Sequence, residues 1–489
     1  MPVKIVPGFD VHDTVLPDIY DEILLRAQKA EMIALDLEFS GFPTRSPDDL
    51  YSRYEEWSKT AKTHAVLSLG MTLVSQGKVS NFDFLMRNEE PHLINPYNVS
   101  FLAREGFDFN KQLTHGIPYK PGRLDTSKIR LAKHSIVETA EEELADEKAK
   151  TIRTLVIEIF VIMRMKKIPL VLHNGFMDLL YLYQHFITDL PDKFECFVYD
   201  INAIFPGGIY DTKYMAERKI GEKKHYLPYL YVKHQYTEQA PALQVEDTIC
   251  IDKKQPKNES QKENYNDNNK KEASNRRVAA KAGRKRSRDN DDDEEQALEK
   301  NNKKQRHASG ICEYFALHGF CTRQATGCKY SHDIQHIVER DLNISAWEQS
   351  QTVPQSKDVK KNDTIVQEDE RTKKGILASI WGYLRSSMIE QTSVVEDKQQ
   401  QVSGSKQLII NATKDESRGA HAAYFDAFMT AYIFHGMKQR LSSQDLQSCR
   451  NQMRFGRQLL ELKPRNNSRM SPSMKQLIDF MDASQNCEV

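Results

Sequence analysis

Between about residue 240 and residue 400 the chain is dominated by Lys, Asp, Asn, Gln and Ser, and this tract limits every fold the rest can adopt. A stretch so poor in apolar residues cannot bury enough surface to offset its ordering entropy, so it is expected to be largely disordered. Any core must come from the flanks. These are residues 1 to about 235, where apolar periodic segments alternate with turn signals, and a shorter apolar return at about 405–435. Closing one fold over so long an excursion costs little, because loop-closure entropy grows only with the logarithm of length. The 489 residues allow about three units at ~150 residues each. The composition predicts a folded segment at 15–235, a linker at 240–310, a compact island at 311–335, a second polar linker at 336–405, a returning segment at 406–440 and a tail at 441–489.

Charge and cysteine usage exclude several classes. Lys plus Arg and Asp plus Glu each total 69, so a uniformly basic nucleic-acid coat is ruled out and any charged partner must be met locally. Seven cysteines are too few for a disulfide scaffold. The start, MPVKIVPGFD, has no apolar signal region, which favours a reducing compartment. The most apolar helical stretch, 154–165, contains Glu158 and Arg164 and falls short of the ~18–20 apolar residues a membrane span needs, so no membrane contact is expected.

Periodicity predicts helices over 18–29, 48–62, 147–166 and 176–186, and strands over 32–39, 65–75, 79–86 and 169–172. The second and third strands are joined at Gln76-Gly77-Lys78, a hairpin signal. Strands mixed with helices in this order argue for an α/β sheet domain.

Three strings carry acids where acids are costly. In Leu35-Asp36-Leu37-Glu38-Phe39, strand alternation puts Asp36 and Glu38 on one face and the apolar residues on the other. Two adjacent carboxylates among apolar neighbours need a neutralising cation, for which a hard divalent ion such as Mg²⁺ is suited, unless they sit on the solvent face of an edge strand. In Leu172-His173-Asn174-Gly175-Phe176-Met177-Asp178, a buried strand ends and Asp178 falls in the first turn of the next helix, where an acid is also favoured by the helix dipole. In the apolar helical run around Phe425-Asp426-Ala427-Phe428-Met429, Asp426 lies next to a core stripe of Phe425, Phe428, Met429 and Tyr432, with His421 five residues earlier.

Taken together, Asp36, Glu38, Asp178, His421 and Asp426 follow the order of the DEDDh exonucleases. The chain resembles the DEDD deadenylases, the group containing poly(A)-specific ribonuclease and the CAF-type enzymes. Further matching strings are 106–110 (GFDFN), 115–119 (HGIPY), 173–175 (HNG), 205–214 (FPGGIYDTKY) and 425–430 (FDAFMT). The likeness is closest to a nuclear branch that carries a CCCH finger. The resemblance implies a ribonuclease-H-like mixed sheet flanked by helices and 3′→5′ hydrolysis of RNA to nucleotide 5′-monophosphates. It implies two Mg²⁺ ions, with Asp36 bridging them, Glu38 and Asp426 holding the one that activates water, and Asp178 holding the other. It makes His421 the proton acceptor and places Asn174 against the terminal nucleotide. It also implies poly(A) or oligo(A) 3′ ends as substrate, including short tails on small nuclear RNAs, a nuclear location (nucleolus or Cajal body), and leaves a homodimer open.

Within the polar tract, Cys312, Cys321, Cys328 and His332, spaced x₈, x₆ and x₃, have the ligand types of a CCCH zinc finger, one structural Zn²⁺ in tetrahedral geometry. Tyr314, Phe315, Phe320 and Tyr330 lie between the ligands and serve either as stacking rings for single-stranded RNA or as a miniature core. Basic clusters across 276–306 read as a nuclear-import signal that an import receptor would bind. Residues 376–389 are amphipathic and suit docking on the fold or on a partner. A catalytically silent RNA-binding adaptor, or a zinc-finger transcription regulator, is the competing reading. Five retained active-site residues weigh against the first, and a CCCH rather than C₂H₂ finger weighs against the second.

Overall fold

The computed structural model describes residues 5–44, 46–122, 150–237, 243–252, 310–323, 327–343, 407–412, 422–455, 458–465 and 468–485. His421, the basic run at 276–306 and the amphipathic segment 376–389 lie outside the described residues. The chain divides into two units, one comprising Met1–Ile251, Gln261–Leu342 and Leu408–Val489, the other Asp252–Ser260 and Asn343–Gln407. Everything below belongs to the first, apart from Asp252 and Gln407, the end residues of a small clasp.

The strands are β1 (Phe9–Val11), β2 (Met32–Phe39), β3 (Val66–Ser75), β4 (Lys78–Asn88), β5 (Ile117–Tyr119), β6 (Leu170–Leu172), β7 (Ile209–Asp211), β8 (Gln244–Val245), β9 (Thr248–Asp252), β10 (Gln407–Asn411), β11 (Gln452–Phe455) and β12 (Gln458–Glu461). The main sheet runs β1-β4-β3-β2-β6-β7-β11-β12, with β5 and β8 also on β4. β3 is antiparallel to both of its neighbours, whereas β2, β6 and β7 are mutually parallel. The result is a mixed α/β fold around one central mixed sheet. β9 and β10 pair separately as a two-stranded clasp.

Side-chain alternation on β2 sorts the two cores. Ile33, Leu35, Leu37 and Phe39 join the cluster formed with the helices Leu16–Lys29, Leu50–Thr63, Ile152–Lys166, Phe176–Leu182 and Phe194–Ile204. Met32 and Ala34 join the opposite cluster, formed with Leu227–Tyr236 and Ala423–Arg440. Asp36 and Glu38 continue that second face. The Ala423–Arg440 helix is buried nearly all round, from Phe425 and Met429 to Phe434 and Met437, because it lies between the sheet and the Leu227–Tyr236 helix. Each large apolar side chain so buried contributes ~1.5–3 kcal/mol relative to exposure.

Two regions differ from expectation. Residues after 440, expected as a tail, form β11 and β12, which extend the sheet beyond β7, and a helix, Pro472–Gln485, whose Met474, Leu477 and Met481 join the first core. The sequence hid them because each strand is four residues long, too short to show periodicity. The compact island also does not stand apart. Phe315, Ala316, Ile337 and Val338 are buried in the same cluster as Leu230 and Phe428. Tyr229 Oη donates to Asp341 Oδ2 at 2.8 Å, and Lys224 Nζ reaches the same atom at 2.6 Å.

Candidate active site

The carboxylates meet because one glycine is missing a side chain. Asp36 lies directly opposite Gly70 on β3. A Cβ on Gly70 would lie 2.0 Å from the Ala423 carbonyl carbon and 2.3 Å from the Tyr424 nitrogen, so only glycine lets the first turn of the Ala423–Arg440 helix settle on the sheet. Asp426, one turn on, is thereby carried to β2. Carboxylate oxygens of Asp36, Glu38 and Asp426 all lie within 4.8 Å of one another. Asp178 comes from the helix that follows β6, and its Oδ1 accepts the Leu37 amide at 3.0 Å, between the two β2 acids.

The four acids, with Asn174, line one cleft of about 390 Å³. Asn174, the proposed nucleotide contact, sits in a left-handed turn (φ 58°) and is exposed; its amide donates to Asp211 Oδ1 at 2.9 Å. Asp211 also accepts from the Lys213, Tyr214 and Arg454 amides, at 2.9, 3.3 and 2.9 Å. Four amides on one buried carboxylate make it an organiser of the turn. The His173 ring is held by Thr212 Oγ1 at 2.8 Å, and burial keeps its pKa well below the usual histidine value. Phe42, half exposed, presents its edge to Phe39 at 5.4 Å, while Phe39 stacks on Tyr181 at 4.0 Å. Trp57 and Arg454 complete the wall.

Electrostatics define what the cleft lacks. Burial, then the charges of Asp426, Asp178 and Glu38, push the Asp36 carboxyl well up. Glu38 is raised by burial, Asp426, Asp178 and Asp83. Burial and Asp178 push Asp426 up to about 8. Asp178 is pushed up to about 7, chiefly by burial and against the pull of its own amide and that of Leu37. Carboxyls that hold protons near neutrality for want of positive charge, with hard oxygen donors this close together, fit a divalent cation site.

The Cys312, Cys321, Cys328 and His332 ligand atoms likewise lie within 4.8 Å of one another. Cys312 Sγ and Cys321 Sγ are 3.9 Å apart, close to the ~3.8 Å that two ~2.3 Å Zn–S bonds at a tetrahedral angle require. His332 Nε2 is buried and has no hydrogen-bond partner among the described residues, and burial pulls the imidazole pKa below its ordinary value. The ring stacks on Phe315 at 4.5 Å, which fixes its plane. The donor set fits one Zn²⁺. Of the rings between the ligands, Phe315 is core, whereas Tyr314, Phe320 and Tyr330 are exposed.

Sequence reasoning missed Gly70, Phe42, Trp57 and Arg454. An isolated glycine in an otherwise apolar strand is a signal of close backbone approach and could have flagged Gly70. The other three carry no spacing signature.

Comparison with known proteins matches residues 11–434 to the family described as CAF1 family ribonuclease. The uncharacterized protein C29A10.09c of Schizosaccharomyces pombe is 27% identical over 161 residues, 29% of this chain and 36% of that protein. The pre-piRNA 3′-exonuclease trimmer of Bombyx mori is 48% identical over 50 residues, 10% of this chain and 9% of that protein. The alignments thus span well under half the length of these curated relatives. Among solved structures, the Mg²⁺- and Mn²⁺-bound form of S. pombe Pop2p aligns at 17% identity with a TM-score of 0.36, covering 49% of this chain and 86% of that one. The RNase domain of yeast Pop2 aligns at 13% identity with a TM-score of 0.32, covering 47% and 78%.

Proposed function

Because the chain belongs to the CAF1 family of ribonucleases, we propose that it is a metal-dependent 3′→5′ exoribonuclease that trims adenosine-rich RNA tails, those of small nuclear RNAs among them, to nucleotide 5′-monophosphates. The observation that carries this reading is the gathering of Asp36, Glu38 and Asp426 within 4.8 Å, with Asp178 beside them in an open cleft. The name of the Bombyx mori relative, a 3′-exonuclease, supports the polarity.

Asp36, Glu38 and Asp426 would hold one divalent cation and Asp36 with Asp178 a second. Such a pair supplies charge for the phosphodiester and an activated water. The chain's own residues do the rest. Phe42, backed by Phe39 and Tyr181, offers a stacking surface for a base, which orders a flexible 3′ end without reading its identity. The Leu37–Asp178 bond fixes two carboxylates relative to one another before substrate arrives. His421 takes the proton of the attacking water on its imidazole. The finger, docked on the same core, adds exposed rings for the upstream strand, and the basic run at 276–306 directs the chain to the nucleus.

The test is the purified full chain with Mg²⁺ on 5′-labelled oligo(A) and mixed-sequence RNA. Stepwise shortening from the 3′ end, faster on oligo(A), is expected. The Asp36→Ala, Glu38→Ala protein should bind and not shorten; equal shortening by both overturns the assignment.

A further inference from the structure

The cleft poses a charge problem that its acids cannot solve. RNA is a polyanion, and cations held by the four carboxylates answer only the linkage being cut. The phosphates on either side of it still face an acidic wall. Among the described residues lining the cleft, Arg454 is the single lysine or arginine, and His173 is kept uncharged by burial. Arg454 comes from β11, beyond residue 434, where the family match ends.

The fold takes unusual care over where this arginine sits. Its amide is bound by Asp211 Oδ2 at 2.9 Å, the same buried carboxylate that sets the Asn174 turn. β11 joins the sheet through Gln452 opposite Tyr210 of β7. Met453 and Phe455 are fully buried on either side of it, Phe455 against Phe176 at 4.2 Å and Trp57 at 4.9 Å. Arg53 clamps the strand end, donating to the Phe455 carbonyl at 2.6 Å with its guanidinium over the ring at 4.9 Å. The Arg454 side chain is only 15% exposed, and its Nε pairs with Glu217 Oε2 at 2.8 Å. Arg454 lines the cleft beside the acids, and a guanidinium matches the geometry of a phosphate.

We propose that Arg454 is a substrate-binding residue that holds a backbone phosphate of the RNA strand next to the linkage being hydrolysed. The proposal rests on the exoribonuclease reading given above. It makes the C-terminal extension of the sheet part of the substrate site rather than scaffolding.

The experiment measures binding of a fluorescent single-stranded oligo(A) by anisotropy across a range of KCl, in an Asp36→Asn background that stops hydrolysis. One lost phosphate contact lowers the slope of log K against log[salt] by about 0.7 for single strands. Arg454→Gln should show that reduction and a roughly tenfold or greater loss of affinity; Arg454→Lys should keep the slope. An unchanged slope in Arg454→Gln with normal folding overturns the proposal. Should Arg454→Gln fail to fold, single methylphosphonate linkages scanned along the 3′ end decide. Neutralising the contacted linkage should cost less in Arg454→Met, which keeps the apolar stem and removes the charge, than with Arg454 intact, and equal costs at every linkage overturn the proposal. If the unsubstituted chain neither binds nor shortens plain RNA, it is the exoribonuclease reading that fails instead.

Discussion

The molecule builds two metal-competent centres by opposite means. The carboxylate cleft draws ligands from residues 36 to 426, across a rigid sheet, a helix N-terminus and a helix that returns after the insert. The Cys312–His332 centre draws its four ligands from 21 residues, with only short local structure around them. In the cleft, the scaffold holds the ligands in place and their like charges oppose one another. In the finger, the ligands stand in for a scaffold. A cation at the first centre would relieve a repulsion the fold already withstands, whereas at the second it would tie together a short segment that otherwise rests on the neighbouring core.

The largest expected effect tests that contrast directly. Cys321→Ser should lower bound zinc from about one per chain to near none, as read by metal analysis. Because Phe315 and Ile337 share a core with Leu230 and Phe428, the melting temperature should fall by about 5–10 °C, the signature of a loss of several kcal/mol. Depleting Mg²⁺ alone should move the melting temperature by no more than about 2–4 °C, even at pH 8.5. Zinc retained by Cys321→Ser, or unfolding on Mg²⁺ removal, would break the comparison.

Gly70→Ala sharpens the cleft's side of it. The added methyl must push the Ala423–Arg440 helix off the sheet, so RNA shortening should slow by about 10–100-fold, the penalty for a misplacement near 1 Å. Zinc content should not change. Full activity in Gly70→Ala would show that Asp426 is placed by something other than this contact.

The smallest effect concerns protons. In the metal-free folded chain Asp426 holds its proton up to about 8, against an ordinary value of 3.8. Its contribution to stability is therefore complete below about pH 4 and fades as pH rises through 8. Metal-free Asp426→Asn escapes that fading. It should melt about 2–4 °C above the parent at pH 8.5 and level with it at pH 4. A gain at low pH would contradict the sign, and Mg²⁺ should erase the difference for the parent by taking the proton's place.

Much of this was legible in the sequence where a single local rule governs. The β2 strand was expected over 32–39 and spans Met32–Phe39, because alternation of apolar residues with Asp36 and Glu38 admits one register only. The helix from 176 was expected to about 186; Phe176–Leu182 continues through a wider π-type turn, Tyr183–Ile187. What the sequence did not reveal depends on distant partners. β11 is a strand through its pairing with β12, with one register pair to β7 and an amide bound by Asp211, and the finger's buried face packs in company with Leu227–Tyr236. Arg454 has neutral and apolar neighbours in Met453 and Phe455 and reads as an ordinary surface cation until the sheet puts it beside four acids.

The clasp of β9 and β10 has a consequence for how the chain tolerates change. It brings the stretch before the insert and the stretch after it side by side, with Ala412 N donating to Asp247 O at 2.7 Å at the clasp's end. The returning helix is also held by its own packing, with Phe425, Phe428 and Met429 in one core with Met32 and Ala34 of β2, so the two catalytic parts are joined by more than the intervening chain. Proteolytic nicking between the finger and β10 should yield two fragments that copurify, and lineages could lengthen, shorten or exchange that stretch while the chemistry on either side stays intact.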